Sequence, residues 1–201
     1  MDPPNRSALE TPGKEEKDTS TEKRTELDAI VPYSLRVSLT AVFAALYALA
    51  VVFIPFGYSI FQIRIADALL PLSIVFGWPA ILGFALGAAV ANFFGPFGAV
   101  DIVGGAVANF VACYVAWAIA KPRTYSRRIA AVIAEVLVIT LFVGTYLGII
   151  APTPFFDLDP IIVGWIGVLG GSIVAIGLIG YVLLEGLLRT GIVQWFHRQT
   201  H

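Results

Sequence analysis

Two apolar runs flank one basic loop in the segment "AVDIVGGAVANFVACYVAWAIAKPRTYSRRIAAVIAEVLVITLFVGTYLGII", residues 99–150. Each run is close to the length of about 20 residues that an α-helix needs to cross a bilayer. The loop, "KPRTYSRR" at 121–128, carries four basic residues. Short loops on the cytoplasmic side of a membrane carry an excess of Lys and Arg. The stretch therefore predicts a transmembrane hairpin whose loop is cytoplasmic.

Further apolar runs extend this pattern in both directions. The whole chain is 58% hydrophobic and 13% charged, whereas ordinary soluble domains have about 45–50% and about 25%. Counting helices outward from the basic loop places both termini in the cytoplasm. We predict an all-α, multi-pass protein of the cell membrane with six transmembrane helices, the last of which begins after an Asp159 cap at Pro160. The six runs are 34–56, 65–77, 78–95, 99–121, 128–150 and 160–188.

The two ends of the chain differ from the membrane body. Residues 1–33 hold eight acidic and five basic residues and no apolar run, so they cannot bury enough surface to offset the entropy of ordering. We predict a disordered charged tail at 1–33, a six-helix transmembrane domain at 34–190 and a short cytoplasmic tail at 191–201.

Motifs for soluble chemistry do not occur. The one cysteine, Cys113, lies within a predicted helix, where a buried inert thiol is the default, and both histidines lie in the C-terminal tail. The chain has no metal-ligand spacing, no phosphate-binding loop and no Ser/His/Asp set. We expect no enzyme, no cofactor, no metal and no nucleic-acid partner. Active transport by this chain would need an ion or another protein as its energy source.

Polar residues inside the predicted helices are the candidate functional groups, because such groups are expensive in a membrane. Arg64 and Asp67 are three apart and share a helix face. Asp101 and Asn109 share a stripe of the fourth helix. Glu135 is alone in the fifth helix and must be paired, protonated or hydrated. The candidate substrate-binding residues are Gln62, Arg64, Asp67, Asn92, Asp101, Asn109, Glu135 and Trp165.

Structural explanations compete with these roles. Arg64 and Asp67 would also serve as an interfacial ion pair that anchors a helix end. Asp101 would also complement the dipole of a helix N-terminus. Asn92 and Asn109 would also simply bridge helices. The residues alone leave these alternatives open.

Small residues follow two of the helices at intervals of four. Gly83, Gly87 and Ala91 predict close packing within the bundle, as small residues do at membrane helix interfaces. Ala41 and Ala45 on the first helix form a similar ridge, which is either internal packing or a surface for another membrane protein.

Two segments resemble a known family. The segment "QIRIADALLPL" resembles the Gln-x-Arg-x-x-Glu-x-Leu motif of the queuosine-precursor (QueT-type) transporter family, and "AILGFALGAAVANFFGPFGAVDIVGGAVANFVACYVAW" is similar to its third and fourth helices. The similarity covers residues 40–121. The chain departs from the family at Asp67, where glutamate is usual, at Glu135, where asparagine is usual, and at Gly171-Ser172, where Gly-Glu is usual.

The resemblance implies a function. Members supply the S component, the substrate-binding membrane subunit, of energy-coupling factor (ECF) transporters. An S component docks through its first helix, here at Ala41 and Ala45, on a membrane coupling protein that a pair of cytoplasmic ATPases drives. The implied substrate is a small 7-deazaguanine such as preQ0 or preQ1, a queuosine or archaeosine precursor.

The polar residues suit a ring of this kind. A carboxylate accepts from the N1–H and 2-amino groups, and an arginine or amide donates to O6. The alternatives are an S component for another vitamin-like compound, such as a pyrimidine or thiamine precursor, and a membrane scaffold protein that binds no ligand.

Overall fold

Six helices make up the part of the chain that the structure describes. This computed structural model describes residues 13–53, 64–120, 124–152 and 158–190, with side chains from residue 33 onward, and no strand occurs in these ranges. The helices are α1 (Gly13–Phe53), α2 (Ile65–Phe76), α3 (Trp78–Phe93), α4 (Gly98–Ile119), α5 (Tyr125–Ile150) and α6 (Pro160–Leu188). The predicted all-helical class and the number of helices are confirmed.

Four of the six helices are long and apolar enough to cross a membrane. They are α1, over Tyr33–Phe53, and α4, α5 and α6. The helices α2 and α3 are also apolar, but each has fewer than 18 residues, and a perpendicular span needs about 20. The membrane character of the chain is thus clear, whereas six complete spans and cytoplasmic termini stay predictions.

The first helix begins earlier than the sequence predicts. Its bounds start at Gly13 instead of residue 34, because residues 13–33 are rich in Glu, Lys and Arg, which are good helix formers. The chain divides into two compact units, Met1–Arg36 and Val37–His201. The predicted tail, membrane domain and C-terminal segment stay predictions, and residues 191–201 lie outside the described ranges.

Glycines set the closest helix contacts in the second unit. A Cβ atom on Gly87 would lie 2.7 Å from the carbonyl oxygen of Ala44, so α3 lies directly against the α1 backbone. A Cβ atom on Gly164 would lie 2.3 Å from the carbonyl oxygen of Gly144, which joins α6 to α5 in the same way. Interhelical contact this close is the usual role of small residues in membrane helices. The predicted packing role of the α3 glycines is confirmed.

Two helices depart from α-helical geometry where they meet. The first part of α2, Ile65–Leu72, is a 3₁₀-helix, and Ile173–Gly180 of α6 is a π-helix. A Cβ atom on Gly180 would lie 2.9 Å from the carbonyl oxygen of Ala68, so the two irregular segments are in contact. Pro71 lies inside the 3₁₀ segment and has no N–H to donate to an α-helical ladder.

The 3₁₀ geometry lines up residues that an α-helix would separate. Residues three apart eclipse one another when a turn holds 3.0 residues. Asp67, Leu70 and Ser73 therefore follow one line along α2, one turn after another, and Arg64 immediately precedes the helix. All four are at most 6% exposed. We call these four residues the α2 stripe.

Candidate substrate-binding site

A buried polar cluster lies at the end of the bundle where α2 and α4 begin. The Nη2 atom of Arg64 donates to Oδ1 of Asn92 at 2.8 Å and lies 3.9 Å from Oδ2 of Asp101. The hydroxyl of Tyr146 donates to Oδ1 of Asp101 at 2.7 Å. Arg64 is 5% exposed, and Asn92 and Asp101 are fully buried. Arg64, Asn92, Asp101 and Tyr146 form what we call the arginine cluster.

The turn between α3 and α4 places two members of the cluster. Asn92 lies in the last turn of α3 and Asp101 in the first turn of α4, and Gly98 between them has a φ of 69°, which favours glycine. The Nδ2 atom of Asn92 donates to the backbone oxygen of Asp101 at 2.8 Å. A Cβ atom on Gly105 would lie 2.2 Å from that same Nδ2 atom. The absence of a side chain at Gly105 is what lets the amide reach α4.

A second buried polar contact involves Asp67, which lies one turn beyond Arg64 along the α2 stripe. The hydroxyl of Tyr47 on α1 donates to Oδ1 of Asp67 at 2.5 Å, and both side chains are buried. The Nδ2 atom of Asn109 donates to the carbonyl oxygen of Phe84 at 3.3 Å, which bridges α4 to α3. Asp67 is thus fixed by a neutral donor and keeps a second carboxylate oxygen.

A third polar group surrounds the last residue of the stripe. The hydroxyl of Ser73 lies 3.3 Å from the carbonyl oxygen of Cys113 and 3.4 Å from Oε1 of Glu135. Glu135 is fully buried, and within the described residues its Oε2 atom has no hydrogen-bond partner. We call Ser73, Cys113 and Glu135 the serine cluster.

The structure unites some predicted site residues and separates others. Arg64, Asn92 and Asp101 come together, with Asp67 one turn away. Glu135 contacts Ser73 instead of these residues. Three other positions are accounted for separately: Trp165 is 38% exposed and donates to Thr145 at 2.9 Å, Asn109 bridges two helices, and Gln62 lies outside the described residues.

Three polar partners were not anticipated. Tyr47 and Tyr146 have no sequence signal of their own, since tyrosine is common in membrane helices. Ser73 had a signal in the spacing Arg64, Asp67, Ser73, which repeats in multiples of three. A period of 3.6 residues places Ser73 on a different face, so the pattern is visible only once a 3₁₀-helix is considered.

The electrostatics of the cluster favour a ligand that donates hydrogen bonds. Arg64 lies near the carboxylate of Asp101 in the cluster and interacts electrostatically with Asp67 beside it, so these three side chains together carry a formal charge of −1. Within the described residues the Oδ2 atom of Asp101 has no hydrogen-bond partner, and its contact with Arg64 is a long one. A buried acceptor without a donor is costly, so this oxygen is available to a donor on a ligand.

Two open cavities lie away from the arginine cluster. A groove of about 480 Å³ between α5 and α6 is lined by apolar side chains, among them Ile133, Val136 and Leu169. A smaller one, of about 310 Å³, lies beside Val90 and Phe93. Neither is lined by a member of the arginine cluster.

Two pairs of alanines on α1, each four residues apart, have different surroundings. Ala44 and Ala48 are half-buried, and Ala44 contacts Gly87. Ala41 and Ala45 are exposed. The packing role is therefore met by one pair of alanines, and the other pair is left on the surface.

Charged side chains buried at one end of an apolar helical bundle are typical of membrane transport proteins. The family model described as QueT transporter matches residues 37–189, and the chain belongs to that family. It is a membrane protein of a transporter family, not of an enzyme family. No curated protein and no solved structure gives a match.

Proposed function

We propose that the protein is the S component of an ECF-type transporter and takes up a queuosine or archaeosine precursor, a 7-deazaguanine such as preQ0 or preQ1. The observation that supports this most is the Oδ2 atom of Asp101, a fully buried carboxylate oxygen with no hydrogen-bond partner in the described part of the chain. Membership of the QueT transporter family supports a transported small molecule.

The arginine cluster offers complementary groups for such a ring. The Asp101 carboxylate accepts from the N1–H and 2-amino groups of the ligand, while Tyr146 holds its other oxygen. The guanidinium of Arg64 donates to O6, and its fork geometry is kept in place by Asn92. Asp67, held by Tyr47, provides a second acceptor on the wall of the same pocket.

Opening of the cluster is part of this proposal. Arg64 and Asp101 are almost completely buried, so a ligand reaches them only when the side chains packed around them move. The chain contains no ATPase motif, and a membrane coupling protein with a pair of cytoplasmic ATPases would supply the energy. The exposed Ala41 and Ala45 would form the surface that contacts this coupling protein.

Mass spectrometry of the ligand that co-purifies with the protein tests the proposal. We expect the mass of a 7-deazaguanine from the wild-type protein and a strongly reduced amount from Asp101→Asn, which keeps the shape but loses an acceptor. Glu185→Gln is the matched control, because Glu185 pairs with Arg128 away from the arginine cluster. Another small-molecule mass would favour a pyrimidine or thiamine precursor. A protein that never retains or binds a ligand would favour the scaffold.

A further inference from the structure

The serine cluster poses a charge problem that the proposed function does not solve. Glu135 is fully buried in the middle of α5. Within the described residues, no Lys, Arg or His forms a salt bridge with it, since the ion pairs there join Arg64 to Asp101 and Arg128 to Glu185. An ionised carboxylate that is isolated in an apolar interior is strongly unfavourable. A positive charge or a proton must accompany this side chain.

The oxygen atoms around Glu135 are spaced too widely for ordinary hydrogen bonds. The Oγ atom of Ser73 lies 3.4 Å from Oε1 of Glu135 and 3.3 Å from the carbonyl oxygen of Cys113. Hydroxyl hydrogen bonds usually measure about 2.5–3.0 Å. A serine hydroxyl has one proton, so it donates to only one of these two acceptors. A protonated Glu135 would donate to Ser73 while Ser73 donates to Cys113, and both contacts would then be expected at about 2.5–3.0 Å.

The same spacing suits oxygen atoms that share a cation. Oxygen ligands lie about 2.3–2.6 Å from a cation such as Ca²⁺, so neighbouring ligands in an octahedral shell lie roughly 3.3–3.7 Å apart. Both distances from Ser73 fall in this interval. Since Glu135 is the carboxylate in contact with Ser73, a monovalent cation balances the charge and a divalent one does not.

We infer that the serine cluster binds a monovalent cation of the size of Na⁺. The carboxylate of Glu135, the hydroxyl of Ser73 and the carbonyl oxygen of Cys113 are its ligands, and the Oε2 atom that has no partner among the described residues faces the ion. Cation sites in transporters often combine side chains with carbonyl groups beside irregular helix segments. Ser73 lies where the 3₁₀ segment of α2 passes into an α-helix.

A search for clustered His, Cys, Asp and Glu side chains does not find a cation site of this kind. The sequence predicts no metal, and in the described ranges no group of three or more His, Cys, Asp or Glu side chains converges. This site needs one carboxylate, and the other ligands are neutral oxygens. It also lies outside the arginine cluster, so it is not part of the proposed substrate pocket.

Thermal unfolding of the purified, substrate-free protein tests the inference. Sodium chloride replaces choline chloride at constant ionic strength, with potassium chloride as a size control. We expect the Tm of the wild-type protein to rise with sodium and to saturate, because a ligand that binds only the folded state stabilises it. Potassium should raise the Tm less than sodium does. Because no substrate is added, the result does not depend on the proposed function.

Two variants make the test specific. Glu135→Gln keeps the shape and removes the charge, so its Tm should not respond to sodium and should equal or exceed the sodium-free wild-type value. Ser73→Ala should still respond, with a sodium midpoint at least tenfold higher, and it carries the test if Glu135→Gln does not fold. Glu185→Gln, which disrupts the pair with Arg128, should respond as the wild type does.

Three results would overturn the inference. One is a wild-type Tm that does not depend on sodium. Another is a sodium effect that Glu135→Gln retains. The third is a Tm that depends on pH through Glu135 without any dependence on sodium, which would show that the side chain carries a proton.

Discussion

Asp101 is the residue on which most contacts of the arginine cluster depend. One carboxylate oxygen accepts from Tyr146, the other faces Arg64, and the backbone oxygen accepts from Asn92. The three contacts come from three different helices or helix ends. Through its side chain and its backbone oxygen, the residue therefore links the start of α2, α3, α4 and α5 at one end of the bundle.

Removing the hydroxyl of Tyr146 should destabilise the folded protein. Tyr146→Phe keeps the ring but leaves Oδ1 of Asp101 without its donor, and a hydrogen bond to a charged group contributes about 1.5–3 kcal/mol. The measurement is the free energy of unfolding in detergent. Tyr114→Phe is the control, because its ring packs in an aromatic group with Trp78 and Trp117. Equal losses in both variants would contradict the role of the hydroxyl.

Arg64→Lys should weaken ligand binding although it preserves the charge. The Nη2 atom of Arg64 makes the contacts with both Asn92 and Asp101, and lysine lacks the further donors that the planar guanidinium offers to a ligand. At about 1.5–3 kcal/mol for a charged hydrogen bond, the loss in affinity is roughly 10- to 150-fold. Calorimetric titration with a 7-deazaguanine measures it, and Asp67→Asn should show a similar loss.

The control for this titration is Arg127→Lys, which changes an exposed arginine at the start of α5. It should bind as the wild type does. Native affinity in Arg64→Lys and Asp67→Asn, or a loss that follows general unfolding, would return both residues to the role of a helix anchor.

Sequence reasoning finds Arg64, Asn92 and Asp101 of the arginine cluster and misses its hydroxyl member, Tyr146. Arg64, Asp67 and Asp101 stand out because charge is rare in apolar runs. Their tyrosine partners do not stand out, because the sequence does not show which of several tyrosines meets a carboxylate. The sequence gives the position of Glu135 along α5 but not its neighbours, so its contact with Ser73 was not predictable.

At the scale of the helix, the contact between α1 and α3 depends on the missing side chain at Gly87. Gly87→Ala should destabilise the protein by about 1–3 kcal/mol, the usual cost of overpacking, because the added Cβ would lie 2.7 Å from the Ala44 carbonyl oxygen. Gly170→Ala is the matched control, since nothing lies within 4 Å of its added Cβ. Unfolding in detergent compares the two.

The control should be neutral or stabilising, because alanine favours helix over glycine by about 1 kcal/mol. If both variants unfold alike, the Gly87 contact is not as close as the structure indicates.

The other side of α1 allows a test of the proposed coupling surface. Ala41→Trp and Ala45→Trp should abolish uptake in cells and leave ligand binding to the isolated protein unchanged, because added bulk on an exposed ridge blocks the approach of another helix. Leu46→Trp, at an exposed position on a different side of α1, should retain uptake. Loss of binding in the alanine variants would show that the ridge is needed for the fold.

Helix positions were predictable and helix types were not. The apolar runs predict where α2 to α6 lie to within a few residues, and α6 has the predicted bounds. The 3₁₀ and π segments depend on Pro71 and on packing between distant parts of the chain, which a local pattern does not contain. The early start of α1 reflects helix propensity in a polar segment, which a search for apolar runs ignores.

At the scale of the whole molecule, the orientation in the membrane is the main prediction. Cysteine at Ser126, within the four-base segment 121–128, should react with a membrane-impermeant reagent only from the cytoplasmic side, and cysteine at Leu158 only from outside, because short basic loops stay in the cytoplasm. Both positions are exposed, whereas the native Cys113 is fully buried and gives little background. The reverse labelling pattern would invert the orientation.

The winding of α2 makes its two ends mechanically dependent on each other. A residue advances about 120° in a 3₁₀-helix and about 100° in an α-helix. Unwinding the eight residues of Ile65–Leu72 into an α-helix would thus turn one end against the other by roughly 160°. Arg64 could not then keep Asn92 while Ser73 kept Glu135. A rotation of one end of α2 would therefore turn the other end as well. The contacts that hold Ser73 would then also affect the direction in which the Arg64 side chain points.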